Sequence, residues 1–474
     1  MGGVARAGSE AQRARRVAGA SLSVVVLGSL LIVLVAADRP SFLAAISHAH
    51  YFPGWMAGPL GGVWPGLTRD VDALRAIFTG AVIAMYGAYV LVLRHAARTP
   101  AGWAIGAVVA AHAIFFLAPP LALTDVFNYI NYARMEVVHH LNPYTTIPAL
   151  EPHSDPSFAL SNWHNLLSPY GPLFTMMTFA LVPLGVAGGM WALKGLLLAA
   201  SLGTVLLTWK CARLLDRDPV RAIVFVGLNP IVLVWGLGGD HNDFVMVFFV
   251  VLGLYLLLRA RVSERAGALA MGAGAAFAGA VAVKASAAIL LPIVLAALAH
   301  TPRRLAQTLG GVVLAGALLA ACSLAAFGAH LPDLGTQSLM VSQLSLPNLL
   351  GLALGAGGES ELLRALLTGV LGLAVLGCTA LAWRRREAIT PAGWATIVLL
   401  ATLGWVLPWY VLWVLPLAAL SESRALRRAS LVLGLYLILT WVPLTGVLFR
   451  QIGFYPAKTP LGQLHQRYTR GFLY

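Results

Sequence analysis

Runs of apolar residues long enough to cross a bilayer recur along nearly the whole chain, separated by short polar segments. A run of about 18 or more apolar residues forms a helix that spans the hydrocarbon core. The pattern predicts an all-α, polytopic membrane protein with about 13 or 14 transmembrane or re-entrant helices. The predicted segments are 17–37, 73–93, 101–119, 172–186, 188–209, 219–236, 244–259, 266–283, 285–300, 308–327, 363–383, 391–406, 408–420 and 431–449.

Composition agrees with this pattern. Of the 474 residues, 59% are hydrophobic and only 11% are charged, whereas soluble domains carry about 25% charged residues. We expect a single transmembrane domain over residues 1–474. The first run, 17–37, is longer than the core of a signal peptide, so we expect it to be retained as the first span.

The chain has a net charge of +14, and the distribution of its basic residues indicates the same topology. Most basic residues fall in alternate short loops, as in 210–221 and 384–386, which is typical of cytoplasmic loops rather than of a nucleic-acid partner. The N-terminus is then cytoplasmic, and the segments on the outer face are 38–72, 120–171, 238–243 and 328–361. Segment 172–186 is expected to be re-entrant or in-plane, because a full crossing would invert every later loop.

The most polar stretch in this apolar chain is "TDVFNYINYARMEVVHHLNPYTT", which begins at Thr124. Thr124 can cap a helix on which four residues share a face by their spacing of three and four: Asp125, Asn128, Tyr129 and Tyr132. A carboxylate beside Asn and Tyr side chains suits a sugar or polar headgroup, with Asp125 as a general base. The alternative is an interfacial helix with an aromatic belt and an acid at its start.

Two motifs follow in the same outer loop. "LNPYTTIP" carries Asn142 and Tyr144, and its proline ends the preceding helix. "SPYGPLF" carries Tyr170 at the start of the next apolar segment, where proline and glycine impose a bend. An ordinary turn and a tyrosine of the aromatic belt explain these motifs equally well.

The sequence "GGDHND" lies between two apolar runs and contains Asp240, His241, Asn242 and Asp243. Four successive polar residues pinned between membrane helices indicate binding. They could ligate a metal, or orient a hydroxyl or phosphate group, and a solvated turn is the alternative.

Further along, Lys284 lies in a short outer turn, where an ammonium group can neutralise a phosphate or snorkel to the interface. "LPWYVLWVLP" places Trp409 and Tyr410 at the start of a span. These rings fit an aromatic belt or the wall of a groove for a lipid tail.

Taken in order, "DVFNYINYARM…LNPY", "PYGPL", "NPIVL…GGDHNDFVM" and "VKASA" resemble the polytopic GT-C glycosyltransferases. More closely, they resemble the polyprenyl-phosphate-mannose-dependent α-1,6-mannosyltransferases of actinobacterial lipoglycan synthesis, over about residues 100–450. The resemblance implies an enzyme of the bacterial plasma membrane whose active site faces outside. It implies a polyprenyl-phosphate sugar donor, a mannan or glycolipid acceptor, inversion at the sugar, and Asp125 as the base.

Side-chain chemistry suggests the remaining roles. Asn128 and Tyr129 would contact a sugar, the residues from His241 to Asp243 would shape the pocket, and Lys284 with Arg134 would hold the donor phosphate. Asp240 departs from the family pattern, in which we expect a small residue at this position. We expect no required cofactor or metal. A transporter or lipid-linked-sugar flippase, and a non-catalytic envelope assembly protein, are the competing functions.

Overall fold

The computed structural model describes residues 2–38, 53–64, 70–121 and 125–473. The described residues form helices joined by short connections and contain no β-strand. The α-helices are α1 Gly2–Asp38, α2 Val71–His95, α3 Ala101–Phe116, α4 Asp125–His139, α5 Pro172–Phe179, α6 Gly185–Leu214, α7 Pro219–Gly227, α8 Asp243–Ala260, α9 Ala266–Val283, α10 Leu290–Leu298, α11 Pro302–Phe327, α12 Leu334–Ser338, α13 Leu346–Ala353, α14 Glu361–Arg385, α15 Ile389–Thr402, α16 Leu415–Leu420, α17 Arg424–Trp441, α18 Pro443–Gln451 and α19 Pro460–Arg470.

The all-α, polytopic architecture predicted from hydropathy is confirmed. Within the described chain, 7 helices are long and apolar enough to cross a membrane, or up to 8 if the bent pair α17 and α18 counts as one. The other predicted segments are shorter or interrupted helices. Among them are α3, α10 and α15, together with the 3₁₀ turn Pro408–Trp413 that leads into α16.

Two predicted segments depart from a straight span. Segment 172–186 contains the eight-residue α5, which covers about 12 Å at 1.5 Å per residue and is far shorter than a bilayer core of about 30 Å. It is therefore too short to be a crossing helix. Segment 219–236 begins as α7 and continues as the π-helix Val232–Leu237. The helix is interrupted at Asn229 and Pro230, because proline has no backbone N–H to donate to the helical hydrogen bonds.

Lipid-facing and protein-facing helices differ clearly in burial. In the most apolar stretches of α11 and α14, only 11% and 6% of residues are buried inside the protein. Their outward leucines and valines suit contact with lipid, because a bilayer solvates apolar side chains. In α8 the corresponding share is 61%. This helix packs between α6 and α9, so its first residue, Asp243, is held in the protein interior.

Candidate active site

The first residue of α4, Asp125, opens onto a pocket that draws side chains from five distant segments. Eight of the residues predicted from the sequence line it: Asp125, Tyr129, Tyr170, Asn242, Asp243, Lys284, Trp409 and Tyr410. Thr124, predicted to cap α4, lies outside the described residues. Of the four residues predicted to share one face of α4, Asp125 and Tyr129 line the pocket together, whereas Asn128 and Tyr132 do not.

His241 reaches Asp125 from behind the pocket. Its Nδ1 atom lies 3.2 Å from Oδ2 of Asp125, and its side chain is buried while that of Asp125 is 13% exposed. The imidazole ring is stacked on the indole of Trp409, with centroids 3.4 Å apart and planes 8° from parallel. Trp409 therefore fixes the plane of the ring, and Nδ1 lies within ion-pair distance of the carboxylate without forming a hydrogen bond to it.

Lys284 forms the cationic corner of the pocket. Its Nζ donates hydrogen bonds to both oxygens of Asp243, at 2.9 and 3.1 Å, and lies 4.6 Å from the ring centroid of Tyr410. The Trp413 indole N–H donates to the same carboxylate. The Lys284 side chain is 20% exposed whereas that of Asp243 is 1% exposed, so the ammonium group is the partner that a ligand can reach.

The turn before Asp243 depends on two glycines. A Cβ added at Gly238 would lie 2.3 Å from the carbonyl oxygen of Val234, and one added at Gly239 would lie 2.3 Å from that of Trp235. Only glycine allows such close backbone approach. The Leu121 N–H also donates to the Gly238 carbonyl, which ties the turn to the segment leading toward α4.

Asp240 is placed away from the pocket, contrary to its predicted role there. Its backbone φ is +56°, which turns the carboxylate toward Lys194 on α6, whose Nζ lies 3.1 Å away. Both side chains are buried. Burial raises the pKa of Asp240, and the charge of Lys194 opposes that rise. Sequence reasoning missed Lys194, although a lone lysine within an apolar run was the available signal.

Arg134 also lies elsewhere than predicted. Its guanidinium binds both oxygens of Asp155 at 2.9 to 3.1 Å, and His139 contacts the same carboxylate at 2.8 Å. Burial alone would raise the pKa of Asp155, but hydrogen bonds from Arg134, Ser157 and His139 lower it below its usual range. Arg134 therefore holds the outer loop together rather than lining the pocket.

The other predicted residues support the pocket walls. The side-chain oxygen of Asn128 accepts from the backbone N–H groups of residues 162 and 163, and the Tyr132 hydroxyl donates to the Leu166 carbonyl at 2.7 Å. Asn142 donates to the Phe327 carbonyl, while the Tyr144 hydroxyl donates to the Tyr170 carbonyl at 2.8 Å. These bonds hold the outer loop against the helices, and none of the four side chains lines the pocket.

Several wall residues were not predicted. They are Trp163, Leu166, Pro169, Gln337, Met340, Trp405 and Leu407. The outer loop supplies the first three, the segment after α11 supplies the next two, and the segment before the 3₁₀ turn supplies the last two. Aromatic residues flanking predicted spans were the signal for Trp163 and Trp405, but ordinary interfacial anchors show the same signal.

Tyr129 connects α4 to the glycine turn. Its hydroxyl accepts from the Asn242 backbone N–H at 3.3 Å, and its ring packs edge-on against Tyr170 at 4.6 Å between centroids. Burial raises the pKa of the Tyr129 hydroxyl well above its usual range, and the nearby charges of Asp125 and Asp243 raise it further. The phenol therefore stays neutral and can act only through hydrogen bonds and its ring face.

No group of three His, Cys, Asp or Glu residues in the described ranges is arranged to hold a metal ion. The expectation that no metal or cofactor is required stays a prediction. What the pocket offers is one carboxylate open to ligand, a buried imidazole beside it, an accessible ammonium group and aromatic walls. These groups can accept a proton from a hydroxyl, stack on a sugar and stabilise an anion.

Comparison with known proteins gives one consistent result. Residues 22–300 match a family profile described as "Alpha-(1->6)-mannopyranosyltransferase, N-terminal domain". Alpha-(1->6)-mannopyranosyltransferase A of Mycobacterium tuberculosis is 28% identical over 73% of this chain and 70% of its own length. A second alpha-(1->6)-mannopyranosyltransferase of that organism is 27% identical over 68% of this chain and 66% of its own length.

A third relative matches over a shorter stretch. Alpha-(1->6)-mannopyranosyltransferase A of Corynebacterium glutamicum is 30% identical over 37% of this chain and 35% of its own length. No solved structure matches the chain. The family profile ends at residue 300, so Asp125, Tyr129, the glycine turn 238–242 and Lys284 fall inside it, whereas Trp405, Trp409 and Tyr410 fall outside.

Proposed function

The chain belongs to the alpha-(1->6)-mannopyranosyltransferase family and is a membrane glycosyltransferase, and from that premise we propose that it transfers mannose from a polyprenyl-phosphate donor to a hydroxyl of a mannan or lipoglycan acceptor. Family membership favours the enzyme over the transporter and the assembly protein. The observation that carries the proposal is the single pocket in which Asp125 and Lys284 meet among aromatic walls. A base and a cation that line one pocket suit a displacement at a sugar carbon.

Asp125 is the proposed base. The acceptor hydroxyl loses its proton to a carboxylate oxygen of Asp125 as its own oxygen attacks the anomeric carbon of the donor sugar. The bond from that carbon to the phosphate oxygen breaks, and its electron pair leaves with the lipid phosphate. Attack from the side opposite the phosphate inverts the sugar, so a β-linked donor yields an α-1,6 linkage.

Lys284 is the proposed partner of the leaving group. The phosphate gains negative charge as the glycosidic bond breaks, and a cation fixed nearby stabilises that charge more in the transition state than in the ground state. The ammonium group is bound to Asp243. The rings of Tyr410 and Trp413 flank the ammonium group. The Lys284 side chain remains partly exposed, so a phosphate oxygen can reach it.

The proposed location is the outer face of the bacterial plasma membrane. The outer loop 120–171, the glycine turn and Lys284 were each predicted on that face from the alternation of basic loops. All three contribute to one pocket, which supports their lying on the same side. A donor anchored by a polyprenyl chain would then present its phosphate and sugar at the same headgroup level.

The test is Asp125→Asn, assayed for mannosyl transfer from a synthetic polyprenyl-phosphate mannose to an α-mannoside acceptor. We expect the rate to fall by about 100-fold or more, because general-base catalysis contributes 10²–10⁴-fold, while the thermal unfolding temperature stays near that of the wild type. Glu136→Gln is the matched control, since Glu136 lies on the same helix but not in the pocket lining. Near wild-type transfer by Asp125→Asn would refute the proposed base.

A further inference from the structure

A cavity of about 660 Å³, lined mostly by residues from the C-terminal part of the chain, adjoins the catalytic pocket. Trp405 lines both spaces, so the two are neighbours. The outer walls come from residues 341–344, the end of α17, α18 and the face of α19. This volume falls in the range of ligand sites, which is roughly 300–1,000 Å³.

The lining is strongly cationic. Arg450, Lys458 and Arg470 contribute to it, and no Asp or Glu lines it among the described residues. Within that part of the chain, none of the three cations is paired with a carboxylate. The Lys458 ammonium group lies 4.0 Å from the ring centroid of Tyr455. Three cations without a counter-ion around one cavity favour an anionic ligand.

One face of α19 adds neutral polar groups. His465, Gln466 and Thr469 line the cavity, and Thr469 lies three positions after Gln466 and four after His465, so it neighbours both on the helix surface. Burial lowers the pKa of His465, and the nearby charge of Arg364 lowers it further, so the ring is neutral near pH 7. Its Nδ1 and the Thr469 hydroxyl are buried and have no hydrogen-bond partner among the described residues.

Much of the remaining lining is apolar or aromatic, beside the polar residues Ser342, Gln343, Asn348 and Thr440. Leu437, Trp441, Phe449 and Phe454 contribute, and α17 and α18, which meet at a bend of 69°, both supply lining residues. A bend at Pro443 opens space that a straight helix would fill. Cations, polar side chains and apolar walls together suit a phosphate headgroup that carries an acyl chain.

The catalytic pocket has a different charge balance. Its one described cation, Lys284, is already matched by Asp243 at 2.9 Å, and that pocket also contains Asp125. The neighbouring cavity carries three cations and no described acid. We propose that this cavity binds the phosphate headgroup of a lipid other than the donor. That lipid is either the anchored acceptor, whose glycan would pass Trp405 to reach Asp125, or an anionic lipid of the surrounding membrane.

The binding test uses the full chain in neutral detergent with dioctanoyl phosphatidic acid as the probe and dioctanoylglycerol as its phosphate-free match. We expect thermophoresis to show binding of the phosphate lipid only, weakened by added inorganic phosphate. Arg450→Gln and Arg470→Gln should each weaken it about fivefold to tenfold, whereas Arg470→Lys keeps the charge and should retain most of the affinity. Arg467→Gln is the matched control, because Arg467 lies on α19 outside the lining. Equal binding of both lipids, or equal losses with Arg467→Gln, would overturn the proposal.

A transfer assay distinguishes the two sources, and only this arm rests on the proposed function. If the anchored acceptor is bound, Arg450→Gln raises KM for a phosphate-anchored acceptor and leaves KM for octyl α-mannoside unchanged. If a membrane lipid is bound, both KM values stay unchanged while phosphatidic acid binding still falls. A raised KM for the donor instead would assign the cavity to the donor phosphate and refute the proposal. Loss of transfer with Asp125→Asn leaves the binding result intact, so the two proposals fail separately.

Discussion

The Nδ1 atom of His241 lies 3.2 Å from Oδ2 of Asp125, although the α-helices α5, α6 and α7 lie between the two residues in the chain. Trp409, from a third segment, packs flat against the imidazole. The carboxylate that we propose as the base thus lies against a ring that is itself packed flat on an indole. His241 is therefore a positioning residue, since Asp125 rather than the ring opens onto the pocket.

His241→Gln should lower kcat about tenfold or more and leave KM for donor and acceptor nearly unchanged, because a misdirected base affects the chemical step more than ground-state binding. Trp409→Phe keeps a flat ring beside the imidazole and should lower kcat much less. Steady-state kinetics with each substrate varied separately would measure the difference. A rise in KM without loss of kcat would assign His241 to substrate binding instead.

Lys284→Met, combined with Asp243→Asn so that no buried carboxylate is left unpaired, should raise KM for the donor about tenfold and also reduce kcat. Lys284→Arg should retain part of the activity because it keeps the charge. Arg134→Gln is the informative comparison. Its guanidinium binds Asp155, so we expect a lower unfolding temperature with an unchanged donor KM. A donor KM that changes in Arg134→Gln but not in the Lys284 variant would reverse this assignment.

Lys194→Met should destabilise the protein by about 3–5 kcal/mol, the usual cost of leaving one partner of a buried ion pair uncompensated. The double change Lys194→Met with Asp240→Gly should recover much of that loss, since it removes the charge and puts glycine where φ is +56°. Thermal unfolding in detergent would measure both variants. Equal unfolding temperatures for the single and double variants would show that the pair is not energetically coupled.

The buried carboxyl group of Glu151 should make the stability of the fold depend on pH. It is buried and accepts a hydrogen bond from Asn131, and burial raises the pKa of Glu151 to about 7 against that bond. A raised carboxyl pKa contributes stability that is fully present below the unfolded pKa and is lost as pH rises through 7. Glu151→Gln should therefore gain unfolding temperature relative to wild type between pH 6 and pH 8. A difference in unfolding temperature between wild type and variant that stays constant from pH 6 to pH 8 would contradict the assignment.

The site was only partly predictable from the sequence, and the reason differs from residue to residue. Asp125 and Tyr129 share a face by helical spacing, which is a local property. Arg134 was expected at the phosphate because its charge is suitable, yet its partner Asp155 comes from the irregular loop that follows α4. Irregular backbone has no periodicity from which a partner could be inferred. Asn142 and Tyr144 were likewise correctly placed in a turn, but their long-range partners Phe327 and Tyr170 were not predictable.

By itself, the sequence determined the membrane class, the helical architecture, the break before the glycine turn and the group of polar motifs from which the pocket is built. Apolar run length, charge alternation and proline chemistry decide these features locally. Tertiary structure alone decided which motifs meet. It pairs Asp240 with Lys194 and Arg134 with Asp155, sets His241 between Trp409 and Asp125, and opens a cationic cavity beside Trp405. These are contacts between distant segments, and helix packing sets their geometry.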